Sequence, residues 1–210
     1  MKVPETGLLE GGRKLPVMEE FYTLQGEGFN MGRAAYFIRL GGCDVGCAWC
    51  DSKETWNASL FPPIPVEEVV ERALQHPAKT VVVTGGEPSL YQLDIFTASL
   101  KEKGITTMLE TSGAYPLTGA WDWICLSPKK NVPPRKDIYV RAQELKVIIQ
   151  TKADLEWAEK NAVYVSPECK LFLQPEWSVA ERIMDTLTQY VMDHPQWRIS
   201  LQSHKYMRIP

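Results

Sequence analysis

The sequence lacks the features that mark secreted, membrane and nucleic-acid-binding proteins. Its five cysteines in 210 residues are odd in number and form no disulfide framework, and its start lacks the apolar stretch of a signal peptide. No apolar run approaches the roughly 20 residues that cross a bilayer. The 23 basic and 26 acidic residues nearly balance, so charge favours neither nucleic acid nor a membrane as partner. We expect a single cytoplasmic domain over residues 1–210, with residues 1–19 as an N-terminal extension of unassigned function.

The cysteines that are present are concentrated in one short run. Cys43, Cys47 and Cys50 follow a C-x3-C-x2-C spacing. Three thiolates this close can hold three irons of a 4Fe-4S cube, which leaves the fourth iron open for a ligand, as in catalytic metal sites. The alternative is a structural zinc loop whose fourth ligand comes from elsewhere in the chain. The candidates for that ligand are Cys125, Cys169, His76, His194 and His204.

A second motif follows the cysteines by about one strand–helix unit. The run Val81-Val82-Val83-Thr84-Gly85-Gly86-Glu87-Pro88 predicts a buried strand that ends in a Gly-Gly bend. At such a bend the backbone can approach a ligand closely, and the Glu87 carboxylate can face a cationic amine. An ordinary strand-to-helix turn would show the same pattern.

The rest of the chain alternates between strand and helix patterns. Strands are predicted at residues 34–40, 80–83, 105–110, 123–126, 144–149, 171–173 and 197–201, and helices at 65–75, 93–103, 154–161 and 178–193. Pro65 is expected near the first position of its helix, Ser178 and Glu181 form a capping-box pattern, and residues 129–137 are expected to be a surface loop. These α/β units predict parallel strands with crossover helices, too few for a closed eight-stranded barrel. We therefore expect an open, partial (β/α) barrel with its ligand residues at the carboxyl ends of the strands.

The cysteine spacing, together with Trp49 before the last cysteine and the Gly-Gly-Glu-Pro run, resembles the radical S-adenosylmethionine (SAM) superfamily. From about Glu20 to Pro210 the chain also resembles the 7-carboxy-7-deazaguanine synthase family. The motifs that carry this second resemblance lie at residues 21–28, 110–113, 126–129, 144–146, 173–175 and 202–206. The resemblance implies a radical SAM lyase that converts 6-carboxy-5,6,7,8-tetrahydropterin to 7-carboxy-7-deazaguanine with loss of ammonia, in the synthesis of queuosine and related 7-deazapurines.

The resemblance also implies which ligand each site residue binds. Cys43, Cys47 and Cys50 would hold the 4Fe-4S cluster, and the Ser52 hydroxyl would bind Mg2+. The residues implied for SAM are Trp49, Asp51, Gly85, Gly86, Glu87, Ser127, Lys129 and Gln174. The residues implied for the pterin are Leu24, Gln25, Glu27, Arg39, Thr84, Glu110, His204 and the terminal carboxylate of Pro210. Among these, Arg39 would pair with the substrate carboxylate through two parallel hydrogen bonds.

The family resemblance further implies a homodimer and a reducing electron donor similar to flavodoxin or ferredoxin. Two alternatives remain. A glycyl-radical-enzyme activase, or another radical SAM enzyme, would share the cysteine loop and the Gly-Gly-Glu-Pro run but need no polar pterin pocket. A non-catalytic iron–sulfur or zinc module would share the cysteines alone.

Overall fold

A computed structural model describes residues 6–210 of the chain. The helices are α1 (Val66–Leu74), α2 (Asp94–Glu102), α3 (Lys136–Tyr139), α4 (Ala153–Ala162), α5 (Ala180–Asp193) and α6 (Ser203–Met207). The strands are β1 (Lys14–Leu15), β2 (Val17–Leu24), β3 (Ala34–Leu40), β4 (Ile64–Pro65), β5 (Thr80–Gly85), β6 (Thr106–Thr111), β7 (Trp123–Leu126), β8 (Glu144–Ile149), β9 (Lys170–Pro175) and β10 (Trp197–Ile199). Short 3-10 helices complete the description at Thr6–Gly12, Lys53–Trp56, Ala58–Leu60, Pro88–Leu90 and Trp177–Val179.

Eight of the strands form one sheet in the order β2-β3-β5-β6-β7-β8-β9-β10. In this sheet the strands β3, β5, β6, β7, β8, β9 and β10 run parallel to one another, whereas β2 runs antiparallel to β3 at one edge. The two remaining strands, β1 and β4, form a separate antiparallel pair. Each strand of this sheet therefore lies next to the sheet strand that follows it in the chain, and the parallel pairs from β3 onward are those that repeated β-crossover-β units require. The predicted fold class is confirmed as an open, mostly parallel α/β sheet.

The two faces of the sheet have different chemistry because side chains alternate along each strand. On one face, Ile38, Val83 and Leu109 pack with helices α1 and α2, and Leu145 and Leu173 pack with α4 and α5. Each such buried aliphatic side chain contributes about 1.5 to 3 kcal/mol. On the opposite face, the small apolar cluster around Phe37, Val82 and Met108 is followed by polar residues nearer the carboxyl ends of the strands. We call this second face the cleft face.

The loops beside the two edges of the sheet meet. Gly28 N donates to Ser200 Oγ at 2.9 Å, and Ser203 N donates to Gly26 O at 2.9 Å. A side chain on either glycine would collide, since a Cβ on Gly26 would lie 2.2 Å from His204 Nδ1 and one on Gly28 would lie 1.9 Å from Glu144 Oε1. We call these four residues, Gly26, Gly28, Ser200 and Ser203, the seam. The seam joins the segment after β2 to the segment after β10.

Several local predictions need correction. Strand β2 was not predicted, because Val17–Leu24 carries two adjacent glutamates and has an exposed edge position. The capping box at Ser178 is wrong: α5 begins at Ala180 without a side-chain cap, and the Ser178 amide donates to Glu176 Oε1 at 3.0 Å. Pro65 precedes α1 as its N-cap residue rather than occupying its first turn. The loop after β7 is mostly exposed as expected, but α3 begins inside the range predicted as loop.

The proposed N-terminal extension lies partly outside the described residues, which exclude residues 1–5. Its described part contributes β1 and the beginning of β2. The prediction of one domain over residues 1–210 stays a prediction. Over residues 6–210, the structure contains no helix with the length and apolarity needed to span a bilayer.

Candidate active site

All of the site residues predicted from the sequence line one cleft of about 300 Å³ at the carboxyl ends of the strands. The penultimate residues of β3, β5, β6 and β9 are Arg39, Thr84, Glu110 and Gln174, respectively. The same cleft is also lined by the three cysteines, His204 and Pro210. The expectation that polar strand ends share one face is therefore confirmed.

The cysteine loop follows β3, and its thiols are free and partly buried. The loop is held from both sides, since the Tyr115 hydroxyl donates to Asp44 and Asn131 Nδ2 donates to Gly46 O at 2.9 Å. Burial raises the pKa of the Cys43 thiol to about 11, and burial also raises the pKa of Cys47. Iron must therefore displace protons when it binds here.

Three thiols on one loop fit a cube in which each thiolate ligates its own iron. No group of three or more His, Cys, Asp or Glu side chains within residues 6–210 converges on a single metal position. Four of the candidates for a fourth zinc ligand have other surroundings. Cys125 and Cys169 are buried, and the His76 and His194 rings stack on tyrosines. His204 alone among those candidates lines the cleft. The donor set thus fits the cluster better than a mononuclear site.

The Gly-Gly bend brings β5 against the cysteine loop. Gly86 N donates to Leu40 O and Glu87 N donates to Gly42 O, both at 2.8 Å. Gly85 has a φ of 129°, and a Cβ there would lie 2.4 Å from Leu40 N. A Cβ on Gly86 would lie 2.1 Å from Gly42 O. Only glycine permits this approach.

The Glu87 carboxylate is 1% exposed and already has several hydrogen-bond donors. Oε1 accepts from Ser89 N at 2.9 Å, from Ser89 Oγ at 2.7 Å and from the Thr111 hydroxyl. Oε2 accepts from Ser112 N at 2.8 Å and from the Ser112 hydroxyl. Five donors occupy the roughly four lone-pair sites of a carboxylate. Glu87 therefore fastens the Gly-Gly bend to the end of β6, and its negative charge lies at the wall of the cleft.

Lys129 brings a positive charge to the cysteine side of the cleft. Its Nζ donates to Ser127 Oγ at 2.6 Å and to Ser127 O at 2.8 Å, and it lies 5.4 Å from the centre of the Trp49 ring. Burial lowers the pKa of Lys129 from its ordinary value. We call the three cysteines with Trp49 and Lys129 the cluster half of the cleft.

The opposite side of the cleft is a connected polar network. Lys146 Nζ lies 2.5 Å from Glu27 Oε2 and 3.0 Å from Glu110 Oε2. Gln202 Nε2 donates to Glu27 Oε1 at 2.9 Å, and Gln25 Nε2 donates to Glu110 Oε1 at 3.2 Å. We call these five residues, Gln25, Glu27, Glu110, Lys146 and Gln202, the substrate half. Burial would raise the pKa of Glu27, but Lys146 outweighs it and lowers that pKa to about 2.

Arg39 and Ser52 lie between the two halves. Arg39 Nε pairs with Glu19 Oε1 at 2.6 Å, and its NH1 group lies 3.4 Å from Ser52 Oγ. Ser52 Oγ also lies 3.3 Å from Asp51 Oδ1. A hydroxyl beside a carboxylate offers the oxygen donors that Mg2+ prefers. The Glu19 pairing leaves the terminal nitrogens of Arg39 facing the cleft.

Sequence reasoning missed Lys146, Gln202 and Glu19. Lys146 and Gln202 stand in two of the motifs that carry the family resemblance, but neither received a role. Strand alternation was an available signal for Lys146, since it places Glu144 and Lys146 on one face and Leu145 on the other. Glu19 gave no signal, because its strand was not predicted.

Comparison with known proteins gives consistent results. Residues 37–125 match the family model of the radical SAM superfamily. The chain is 55% identical over 202 residues to the 7-carboxy-7-deazaguanine synthase of Flavobacterium psychrophilum, covering 96% of each chain. It is 49% identical over 194 residues to the enzyme of that name from Synechocystis, covering 92% of this chain and 93% of the relative. A crystal structure of QueE from Escherichia coli superposes with a TM-score of 0.81 at 29% identity, over 96% of this chain and all of that one.

Proposed function

Since the chain belongs to the 7-carboxy-7-deazaguanine synthase family, a group of radical SAM enzymes, we propose that it converts 6-carboxy-5,6,7,8-tetrahydropterin to 7-carboxy-7-deazaguanine and ammonia. Its product would enter the synthesis of queuosine or a related 7-deazapurine. The observation that carries the proposal is the single cleft that joins three free thiols to a network of carboxylates, amides and ammonium groups. A glycyl-radical-enzyme activase would need the thiols but not the network.

The cluster half is proposed to hold the cofactors. Cys43, Cys47 and Cys50 ligate the 4Fe-4S cluster, which when bound supplies the electron that cleaves SAM to a 5′-deoxyadenosyl radical. The residues proposed for SAM line the same cleft as the cysteines: Trp49, Asp51, Gly85, Gly86, Glu87, Ser127, Lys129 and Gln174. The backbone of the Gly-Gly bend and the Glu87 charge favour an ammonium group, whereas Lys129 favours a carboxylate. The ammonium group and the carboxylate of SAM would thus each face a group of opposite charge.

The substrate half and its borders are proposed to bind the pterin. Glu27, Glu110 and Gln25 offer acceptors and donors to the ring edge, and Leu24, Thr84, His204 and Pro210 complete the wall. Arg39 pairs with the 6-carboxylate of the substrate, and Ser52 offers its hydroxyl to Mg2+. Burial lowers the pKa of His204, which favours a neutral ring against the ligand.

The direct test is turnover by anaerobically reconstituted protein. Reduced protein supplied with SAM, Mg2+ and the carboxytetrahydropterin should form 7-carboxy-7-deazaguanine, identified by its mass and absorbance. Omission of SAM should abolish the product. Formation of 5′-deoxyadenosine without the deazapurine would retain the radical SAM chemistry and contradict the proposed substrate.

The proposal extends to a homodimer in the cytoplasm that is reduced by a flavodoxin-like or ferredoxin-like protein. Five free cysteines among the described residues support a reducing compartment. Light scattering would measure the oligomer, and reduction of the cluster by a purified flavodoxin would test the donor. A monomer, or a cluster that flavodoxin leaves oxidised, would contradict the respective part.

A further inference from the structure

Lys146 is a buried ammonium group for which the sequence gives no role. It lies on the cleft face of β8, and its side chain is 5% exposed. Its two carboxylate partners come from distant parts of the chain, Glu27 from the loop after β2 and Glu110 from β6. Both partners face the cleft in which the pterin is proposed to bind. Lys146 therefore acts on the ligand through these two carboxylates.

The four carboxylate oxygens of this network retain capacity for a ligand. Glu27 accepts from Lys146 and Gln202, one bond on each oxygen, and Glu110 accepts from Lys146 and Gln25 in the same way. An ionised carboxylate has about four acceptor sites and no donor. Gln174 and Cys125 also lie within hydrogen-bonding reach of Glu27 and Glu110, respectively, so about one acceptor site on each carboxylate remains for a ligand. Only N–H or O–H donors can fill them.

Building on the proposed function, we propose that Lys146 is a positioning residue that determines substrate specificity. Through its ion pairs with Glu27 and Glu110, it orients both carboxylates so that the pocket accepts the 2-amino-4-oxo edge of a pterin, which presents adjacent N–H donors. A 2,4-dioxo edge, as in a lumazine, presents a carbonyl oxygen where the pterin presents an amino group. That oxygen would face a carboxylate, and a polar site left unpaired rejects such analogues strongly.

The charges around the network support this role. Near Lys146 lie Cys125 on the neighbouring strand β7 and Glu144 two residues earlier on β8 itself. Lys129, in the loop after β7, and His204, on α6, also face the network. Burial opposes a charged lysine, but these acidic neighbours together with Glu110 and Glu27 raise the pKa of Lys146 well above its usual value. Without the ammonium, no cation would hold the two carboxylates side by side, and like charges repel each other. Loss of their arrangement would weaken the discrimination between an amino group and a carbonyl oxygen.

The experiment compares two probes, pterin-6-carboxylate and lumazine-6-carboxylate, by fluorescence titration of cluster-loaded protein with SAM. We expect wild type to prefer the pterin by at least about 100-fold. In Lys146→Met we expect weaker pterin binding and a preference below about tenfold, while Lys146→Arg should restore most of it. Lys101→Met removes an ion pair with Asp122 outside the cleft and should keep the wild-type preference.

Three results would overturn the inference. One is a wild type that binds both probes equally while it still turns over the carboxytetrahydropterin, which leaves the proposed function intact. Another is an unchanged preference in Lys146→Met. The third is a loss of preference in Lys146→Met that Lys146→Arg does not restore. If Lys146→Met fails to fold, Lys146→Gln takes its place in the comparison, with the same expected loss of preference, and the wild-type preference is tested as before. Absence of both product and probe binding in wild type would contradict the proposed function together with the inference.

Discussion

The two halves of the cleft differ in how complete they are. In the substrate half, each oxygen of Glu27 and Glu110 already has a protein partner. In the cluster half, the three thiols are free, and the contacts that they receive are backbone hydrogen bonds such as that from Ser52 N to Cys50 Sγ at 3.4 Å. Folding therefore pairs the polar atoms of the substrate half with one another, whereas in the cluster half it fixes the loop but leaves the thiols for a metal. Preorganisation lowers the ordering cost of a ligand.

The largest effect should come from breaking the cluster half alone. Replacing Cys43, Cys47 or Cys50 by Ala should abolish cluster assembly and SAM cleavage, because each thiolate holds its own iron. The far-UV circular dichroism should stay as in wild type, since these thiols support none of the sheet. Absorbance of the reconstituted protein and 5′-deoxyadenosine formation are the measurements. Cys125→Ala and Cys169→Ala are the matched controls, and a requirement for either in iron binding would refute the open-iron arrangement.

The next effect tests the border between the halves. Arg39→Ala should weaken binding of the carboxypterin by about two decades or more, because truncating one partner of a buried charge pair costs a few kcal/mol. SAM affinity should change little, since other groups hold SAM. Arg39→Lys should recover part of the loss, as an ammonium cannot reproduce the planar fork. Equal losses for SAM and carboxypterin would mean that Arg39 supports the cleft rather than the substrate.

A smaller effect concerns the wall of the cluster half. Glu87→Gln should weaken SAM binding by about tenfold, because it removes the negative charge behind the Gly-Gly bend and replaces one accepting oxygen with an amide donor that faces Ser89 or Ser112. Cluster absorbance should remain. Ser89→Ala is the control: it removes one donor to the carboxylate but leaves its charge, so SAM affinity should stay near wild type. Unchanged SAM affinity in Glu87→Gln would remove Glu87 from the SAM site.

The smallest effect concerns the floor of the substrate half. Burial raises the pKa of Glu144 to about 7 from an ordinary value of 4.5, so the folded protein binds a proton there that the unfolded chain releases. Stability therefore falls as pH rises from about 4.5 to about 7. Glu144→Gln should remove this loss and gain about 1 kcal/mol at neutral pH, less than full linkage because buried sites relax. Thermal unfolding of the metal-free protein against pH measures it, and a constant difference between the two proteins would contradict it.

The sequence was informative where local patterns determine the structure. The strands at Ala34–Leu40, Trp123–Leu126 and Glu144–Ile149 have the predicted bounds, because runs of buried apolar residues end at polar or turn residues. The residues that line the cleft could be predicted because motifs mark them, and their individual roles stay predictions. The partners of Lys146 could not, since Glu27 lies 119 positions away and nothing local connects the two. Strand β2 was missed because an edge strand needs little apolar patterning.

The seam has a consequence for the order of folding. Most strands pair with a sequence neighbour, so the sheet can grow by short-range steps. The seam instead joins residues 172 and 177 positions apart. Closing so long a loop costs conformational entropy, and only the contacts of the seam, which form late, offset that cost. His204 and Gln202 reach the cleft through this closure, so a chain with a finished sheet but an open seam has no complete pterin site. Competence to bind substrate should therefore arise after secondary structure, in a separate and slower kinetic phase.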